Sequence, residues 1–227
     1  MSIMNHDINS RKIAVLDIDG TLINCQTQME FLKFLFERGD VDVLYFIKIY
    51  LWFALYRLKI ISNLKSIYRF GLKYFVDKKT TDVDELIEKF ISEKILSRIF
   101  HDSFSFISSL KDEGNFILLL SSASEPMVAR LSKLFQADDY ICTKLEIVNG
   151  RYTGNVEGEI VEGDIKTSML TKYFNLKGFV ADSARAYADQ KSDISMLKIV
   201  GKGYVVNPSS RLMQIALNES LAIIHMQ

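Results

Sequence analysis

The chain has 227 residues, 48% hydrophobic and 25% charged, so it can bury a full core as one large domain or two modest ones. Its 28 basic residues equal its 28 acidic residues, which excludes a strong overall field for nucleic acid, and no nucleic-acid partner is expected. The two cysteines are too few for a disulfide scaffold and lack metal-binding spacing. Residues 1–12 lack the apolar core of a signal peptide, so we expect a cytoplasmic protein.

The first predicted element is a buried strand that ends in two acidic residues. Residues 12–21 read KIAVLDIDGT, and side chains two apart on a strand point the same way, which brings Asp17 and Asp19 together. Open α/β sheets place their ligands at the carboxyl ends of parallel strands, so this stretch indicates a functional site. For these ten residues alone, acids that only cap the next turn remain an alternative.

Helical periodicity replaces the strand pattern between Met29 and about Phe100, and Gly39 is expected to end the first helix. Residues 43–61 (VLYFIKIYLWFALYRLKII) are apolar on nearly all sides, yet their uncharged part, residues 49–56, is too short to span a membrane. We favour a buried helix of a small bundle. Contact with a lipid or a membrane surface is the alternative, because basic residues and aromatic rings suit an interfacial helix.

After residue 101 the pattern returns to alternating strands and helices. Phe116 to Leu120 (FILLL) predicts a strand, and a helix from about Pro126 to Phe135 follows. Asn149-Gly150 between two β-prone runs predicts a two-residue hairpin. The later predicted elements are a helix over 166–173, a strand over 178–188, a short helix after it and a strand at 203–208. The expected architecture is a parallel α/β core with a helical insertion after its first strand.

Phosphoryl transfer explains why two aspartates stand at the end of the first strand. An in-line transfer needs a nucleophile and a proton for the leaving group. Asp17 is the expected nucleophile, forming an aspartyl-phosphate. Asp19 is the expected general acid and base, which protonates the leaving oxygen and then takes a proton from the hydrolytic water.

Further polar residues supply the rest of this chemistry. Ser122 follows the second strand and Lys166 opens a helix, so both are expected to hold phosphoryl oxygens, although a helix cap and a solvated lysine are their ordinary interpretations. Asp189 is the expected second carboxylate for Mg²⁺, which removes the repulsion between carboxylate and phosphate. Asp193, four residues on, orders the metal's waters or positions Lys166, unless it is only an N-terminal helix acid. Asp182-Ser183 also resembles a metal-binding turn, but it fits the metal-binding role less well than Asp189, because the residue four positions later is Ala186.

Taken in order, DIDGT at 17–21, the strand ending at Ser122, Lys166 and DQKSD at 189–193 resemble the four motifs of the haloacid dehalogenase (HAD) superfamily. The pair of aspartates is similar to its phosphatase branch, and a helical insertion after the first motif resembles subclass IB, the phosphoserine-phosphatase-like members. The resemblance implies a three-layer Rossmann-like core of residues 1–23 and 101–227 with an α-helical cap of residues 24–100. It also implies phosphomonoester hydrolysis and Mg²⁺ held by Asp17, the backbone carbonyl of Asp19, and Asp189.

The resemblance also assigns supporting residues and sets limits on the substrate. Thr21 supports the first motif, and Ala123 joins Ser122 at the phosphate. Phosphoserine phosphatases carry a Glu where this chain has Gln26, and Gly-Gly where it has Ala123-Ser124, so Gln26 and Ser124 are expected specificity positions. A neutral amide cannot pair with an ammonium as a carboxylate does.

The departures argue against phosphoserine. The SAS motif at 122–124 and the aromatic-rich cap resemble subclass members that act on phosphatidylglycerophosphate or related lipid and alcohol phosphates, which implies a small or lipid-like phosphate ester as substrate. Phosphoserine hydrolysis and phosphotransfer to an alcohol are alternatives. A protein of another class, with an inactive core that binds a partner or a membrane surface through residues 24–100, is the remaining hypothesis. The expected partners are a phosphorylated small molecule or lipid headgroup, with peripheral membrane contact left open.

Overall fold

The structure is a computed structural model that describes residues 12–58, 60 and 64–227. Residues 1–11, on which the expectation of no signal peptide depends, and residue 61, the predicted end of the apolar segment, lie outside the described residues. The described strands are β1 (Ile13–Leu16), β2 (Phe116–Ser124), β3 (Asp139–Val148), β4 (Arg151–Glu157), β5 (Arg185–Ala188), β6 (Lys202–Val206) and β7 (Ala222–Ile224). The described α-helices are α1 (Thr27–Glu37), α2 (Val43–Arg57), α3 (Leu64–Gly71), α4 (Thr80–Phe90), α5 (Ser103–Asp112), α6 (Glu125–Leu134), α7 (Asp164–Lys177), α8 (Ile194–Lys198) and α9 (Ser210–Asn218).

The seven described strands form one sheet in the order β4-β3-β2-β1-β5-β6-β7. All neighbouring pairs are parallel except β3 and β4, which form an antiparallel hairpin. Its turn is Asn149-Gly150, and both residues have positive φ, as a tight two-residue turn requires. The hairpin prediction is confirmed.

Helices cover both faces of the sheet and make three layers. Alternate residues of β1 point to opposite faces: Ala14 and Leu16 pack in one hydrophobic cluster with α5 and α6, whereas Ile13 and Val15 pack in a second cluster with α7, α8 and α9. A strand buried on both faces needs apolar residues throughout, which is why IAVL does not alternate with polar residues. The predicted three-layer α/β core is confirmed.

The strand predicted over residues 178–188 is wrong for its first half. Gly178 has φ +75° and ends α7 in a left-handed cap, because glycine adopts this conformation without steric cost. A single 3₁₀ turn follows at Ala181–Ser183, and the strand itself is only β5. Two further differences concern other elements. The predicted second strand ends at Leu120, whereas β2 continues to Ser124, and the sequence analysis omits helix α9 and the edge strand β7.

The described part of residues 24–100, which we call the cap segment, packs directly against the rest of the chain. Phe31 of α1 meets Phe90 of α4 edge to face at 5.1 Å, and this aromatic group belongs to the same hydrophobic cluster as β1 and β2. Arg130 of α6 contacts Asp84 at 3.1 Å and Glu88 at 2.9 Å, both on α4. The division into a core of residues 1–23 and 101–227 and a cap of residues 24–100 stays a prediction.

Helix α2 is buried on only one side, which corrects the expectation of a helix enclosed in a bundle. Ile49 is 8% exposed and faces inward, whereas Leu44 is 77% exposed. The sequence could not reveal these faces because apolar residues occur all round the helix. Among residues 12–58, 60 and 64–227, none of the helices combines the length and the hydrophobicity that a membrane span needs.

Candidate active site

Three neighbouring strands end at the same edge of the sheet and bring the predicted residues together. Leu16 of β1 pairs with Leu119 of β2 on one side and with Tyr187 of β5 on the other. Asp17 therefore follows the central strand, while Ser122 and Asp189 come from its two neighbours. This is the switch point at which open α/β sheets hold ligands.

Gly20 explains the glycine of the DIDGT motif. Its φ is +80°, and a Cβ at this position would overlap the carboxylate of Asp189. Any side chain here would therefore displace that carboxylate. Thr21 is completely buried in the following turn, and its hydroxyl has no hydrogen-bond partner among the described residues.

Lys166 is buried in the first turn of α7 and neutralises part of the acidic site. Its Nζ donates to Oδ1 of Asp17 at 2.7 Å and to Oδ2 of Asp193 at 3.3 Å. Burial alone would lower the pKa of Lys166. The charges of Asp17 and Asp193, together with these hydrogen bonds, raise the pKa by more than burial lowers it, so the net pKa lies above its usual value. Lys166 is therefore a fixed positive charge beside the predicted nucleophile.

Asp17, Asp189 and Asp193 form a group that suits a divalent cation. One carboxylate oxygen from each lies within 4.8 Å of the others. Burial, and then the charge of neighbouring aspartates, raises the pKa of Asp189 to about 8, while burial raises that of Asp17 to about 7 despite Lys166. Oδ1 of Asp189 is buried without a hydrogen-bond partner among the described residues. Hard oxygen donors, excess negative charge and an unpartnered oxygen all fit such a cation.

Asp19 is held by the start of α1 and not by the acidic group. Its Oδ1 accepts from the Thr27 backbone N–H at 3.1 Å, and its Oδ2 accepts from the Thr27 hydroxyl at 3.2 Å. The first N–H groups of a helix lack partners within the helix, and Asp19 supplies one from outside. Burial raises the pKa of Asp19 to about 6, although the Thr27 bonds lower it, which suits proton transfer near neutral pH.

The Ser122 carbonyl joins the cap segment to the sheet. It accepts hydrogen bonds from the Tyr68 hydroxyl at 2.6 Å, the Gln28 amide at 3.1 Å and the Thr143 hydroxyl at 2.9 Å. Donors from α3, α1 and β3 thus converge on one backbone oxygen. Ala123, the other predicted phosphate residue, is fully buried, and its N–H donates to the Ser121 hydroxyl at 3.1 Å.

One cavity connects this polar site to the cap segment. Its polar end contains Asp17, Asp19, Lys166 and Asp193. Its other walls are mostly apolar and come from α1, α2, α3 and the turn that follows α3: Phe31, Leu35, Ile49, Phe53, Ile67, Leu72 and Phe75. The arrangement can hold a charged phosphate at one end and an apolar group at the other.

The structure gathers most of the predicted site residues around this cavity. Those lining it are Asp17, Asp19, Gln26, Ser122, Ser124, Lys166 and Asp193, and Asp189 contacts the acidic end. Ala123 and Thr21 do not line it. The sequence analysis missed Thr27, Gln28, Tyr68 and Glu162, of which only Thr27 had a signal, since the first residue of a helix needs an acceptor for its N–H.

The excess of negative charge among Asp17, Asp189 and Asp193 predicts that Asp189→Asn stabilises the metal-free protein. Between pH 4 and pH 8 the folded protein keeps a proton on Asp189 that the unfolded chain has lost, so the unfolding free energy of the metal-free wild type falls as pH rises. The variant loses the contribution of Asp189 to this slope, whereas Asp17 and Asp19, whose pKa values are also raised, still contribute. We expect it to be more stable by about 2 kcal/mol at pH 8 in EDTA, an increase of about 4–8 °C in melting temperature.

Asp182→Asn is the matched control, because Asp182 is exposed and lies away from the site. Its melting temperature should follow that of the wild type at every pH. A divalent cation should raise the melting temperature of the wild type and raise that of Asp189→Asn much less. Equal or lower stability of Asp189→Asn at pH 8 would show that the carboxylates do not repel each other as inferred.

Comparison with known proteins identifies the class. The family model described as "haloacid dehalogenase-like hydrolase" matches residues 14–198, so the chain belongs to this family. A histidinol-phosphatase of Neisseria meningitidis is 26% identical over 213 residues, covering 89% of this chain and 93% of the relative. A phosphoserine phosphatase of Methanocaldococcus jannaschii is 25% identical and covers 84% and 83%.

The same fold occurs in a solved structure of a protein of unknown function from Bordetella pertussis. Its TM-score is 0.85 with 19% identity, and the match covers 94% of this chain and 98% of that one. The family match and the phosphatase relatives confirm the predicted HAD-type phosphatase with a Rossmann-like core. The protein is a phosphatase of the haloacid dehalogenase-like hydrolase family.

Proposed function

We propose that this phosphatase is a Mg²⁺-dependent hydrolase of an amphiphilic phosphomonoester, with a phosphatidylglycerophosphate-type lipid as the favoured substrate. The observation that carries the proposal is the cavity that joins Asp17, Asp19 and Lys166 to apolar walls from α1, α2 and α3. A phosphate ester with a long apolar part matches both ends. A small polar ester would leave the apolar walls in contact with water.

In the proposed reaction, a carboxylate oxygen of Asp17 attacks phosphorus while the bond from phosphorus to the ester oxygen breaks. Asp19 gives its proton to that leaving oxygen. A water then attacks the aspartyl-phosphate, Asp19 takes a proton from it, and the bond to Asp17 breaks to release inorganic phosphate. Lys166 holds positive charge beside Asp17 throughout, at 2.7 Å in the structure.

Asp17, Asp189 and Asp193 are the side chains that would hold Mg²⁺. When bound, the cation offsets the repulsion between these carboxylates and an incoming phosphate. The Asp189 carboxylate can occupy its position in the site because Gly20, which has no side chain, leaves room for it. The carbonyl of Asp19 remains the fourth proposed protein ligand.

An amine-bearing phosphate is the second candidate, and Glu162 is the observation that favours it. This carboxylate lines the cavity, where it would attract an ammonium group. The substrates named for the two curated relatives, phosphoserine and histidinol phosphate, both carry an amine. Gln26 at the cavity argues against them, since its neutral amide provides no charge for an ammonium.

A panel of phosphate esters tests the proposal. The purified protein should hydrolyse a soluble short-chain phosphatidylglycerophosphate at least about tenfold more efficiently than phosphoserine or histidinol phosphate, because burying two methylene groups contributes about 1.6 kcal/mol. EDTA should remove the activity and excess Mg²⁺ should restore it. A preference for phosphoserine or histidinol phosphate would favour the second candidate over the lipid. Transfer of the phosphoryl group to an added alcohol, in excess over release of inorganic phosphate, would indicate a phosphotransferase.

A further inference from the structure

Helix α2 carries an exposed apolar face, which we call the outer stripe. Its members are Val43, Leu44, Ile47, Tyr50, Leu51 and Leu58, and each is between 48% and 77% exposed. Leu44, Ile47 and Leu51 follow the three- and four-residue spacing of one helix face, and the Leu58 N–H continues the helix by donating to the Ala54 carbonyl. A contiguous apolar surface of this kind marks an interaction site.

The opposite face of the same helix lines the catalytic cavity. Tyr45, Ile49 and Phe53 contact that cavity, and the Tyr45 hydroxyl donates to the Gly71 carbonyl at 2.6 Å, which fixes α2 against the end of α3. One helix therefore separates the apolar part of the cavity from the outer stripe. A partner bound to the stripe would lie one helix diameter from the place where the apolar part of the substrate binds.

The segment that carries the outer stripe is basic, and the nearest acidic residue before it is Asp42, whose Oδ1 accepts the Tyr45 N–H at the start of α2. Residues 43–76 contain six lysines and arginines and no aspartate or glutamate, although the whole chain is balanced. Exposed members of this set include Lys48, Arg69 and Lys73. The Nζ of Lys48 lies 4.3 Å from the ring centre of Phe70 and 5.0 Å from that of Trp52, so this cation and these rings share one surface.

A second copy of the chain is a poor occupant of this surface. Two copies of residues 43–76 placed face to face would find no acidic residue within this segment to pair with its lysines and arginines. An anionic bilayer matches both properties, since it accepts exposed leucine and isoleucine side chains and attracts lysine and arginine.

We propose that the outer stripe docks on the surface of an anionic lipid bilayer. This proposal rests on the proposed function, because a lipid phosphate enters the cavity from such a surface. Docking through α2 places the apolar walls of the cavity beside the bilayer that supplies the substrate. The helix lies on the membrane and does not cross it.

Vesicle flotation with the full chain tests the proposal. The wild type should float with vesicles of phosphatidylcholine mixed with phosphatidylglycerol, and added salt should weaken binding because it screens the lysines and arginines. Vesicles of phosphatidylcholine alone should bind much less. The double variant Leu44→Glu with Leu51→Glu should lower the bound fraction at least about tenfold, because it places acidic charge within the stripe.

The matched control is Leu176→Glu with Leu217→Glu, at two exposed leucines on the core helices α7 and α9. It adds the same charge and should bind vesicles like the wild type. Both double variants should hydrolyse a soluble aryl phosphate normally, since none of the four leucines lines the cavity. Equal flotation of the two double variants, or no flotation of the wild type, would overturn the docking surface while leaving the phosphatase assignment intact. A wild-type dimer, detected by sedimentation velocity, that Leu44→Glu with Leu51→Glu dissociates would assign the stripe to a second copy instead.

Discussion

Replacing Asp17 with asparagine should lower kcat for phosphate release by at least about 1000-fold, because an amide cannot attack phosphorus as a carboxylate does. The fold should survive. Asparagine has nearly the same shape, and its amide oxygen can still accept the hydrogen bond that Lys166 donates at 2.7 Å in the wild type. The measurement is steady-state hydrolysis of an aryl phosphate with Mg²⁺, with thermal unfolding to verify folding.

A rapid quench followed by peptide mass analysis extends this test to the intermediate. The wild type should carry a phosphoryl group on the peptide that contains Asp17, and Asp17→Asn should carry none. Asp182→Asn is the control for the substitution, because Asp182 is exposed. The activity of this variant should equal that of the wild type. Activity of Asp17→Asn within tenfold of the wild type would assign the nucleophile to another residue.

Replacing Lys166 with methionine should lower the free energy of unfolding by about 3 kcal/mol, because it leaves buried carboxylates without their positive partner. Lys166 is 4% exposed and contacts both Asp17 and Asp193, so water cannot replace it. Denaturant unfolding in EDTA at pH 8 measures the loss. Activity should fall as well, since the phosphoryl group loses the fixed charge beside Asp17.

Lys172→Met is the matched control on the same helix, where Lys172 is exposed. This substitution should change stability by less than about 0.5 kcal/mol. The loss in Lys166→Met should also shrink at pH 5, because the carboxyls of Asp17 and Asp189, with pKa values raised to about 7 and 8, are then protonated. A loss that is the same at pH 5 and pH 8 would indicate lost packing and not lost charge.

The site was predictable because its parts depend on the order of strands. Asp17 follows β1, Asp189 follows β5 and Ser122 lies near the end of β2, and these three neighbouring strands are parallel, so their carboxyl ends lie at one edge of the sheet. Their meeting therefore follows from the strand pattern. The strand pattern does not show which residues surround this site. The Tyr68 hydroxyl and the Gln28 amide, for example, reach the Ser122 carbonyl only through the tertiary packing of the cap segment.

Residues 43–61 show where sequence periodicity gives no answer. A helix that is apolar all round has no preferred face, so its pattern cannot distinguish Ile49, which lines the cavity, from Leu51, which is 52% exposed. The errors at short elements have another cause. The strand that ends in β5 was predicted too long, and β7 was missed, because these strands and the turn at Ala181–Ser183 contain three or four residues each, too few for a period to emerge.

The position of the cap segment between β1 and β2 has a consequence for how the chain folds. Ile13 pairs with Phe116 and Leu16 with Tyr187, so β1 can form the sheet only with strands that lie about one hundred or more residues further along the chain. Contacts this distant in sequence are slow to form, because a long loop must close first. During synthesis Asp17 is made early and Lys166 late. The nascent chain thus carries its acidic loop without its counter-ion until most of the protein has left the ribosome.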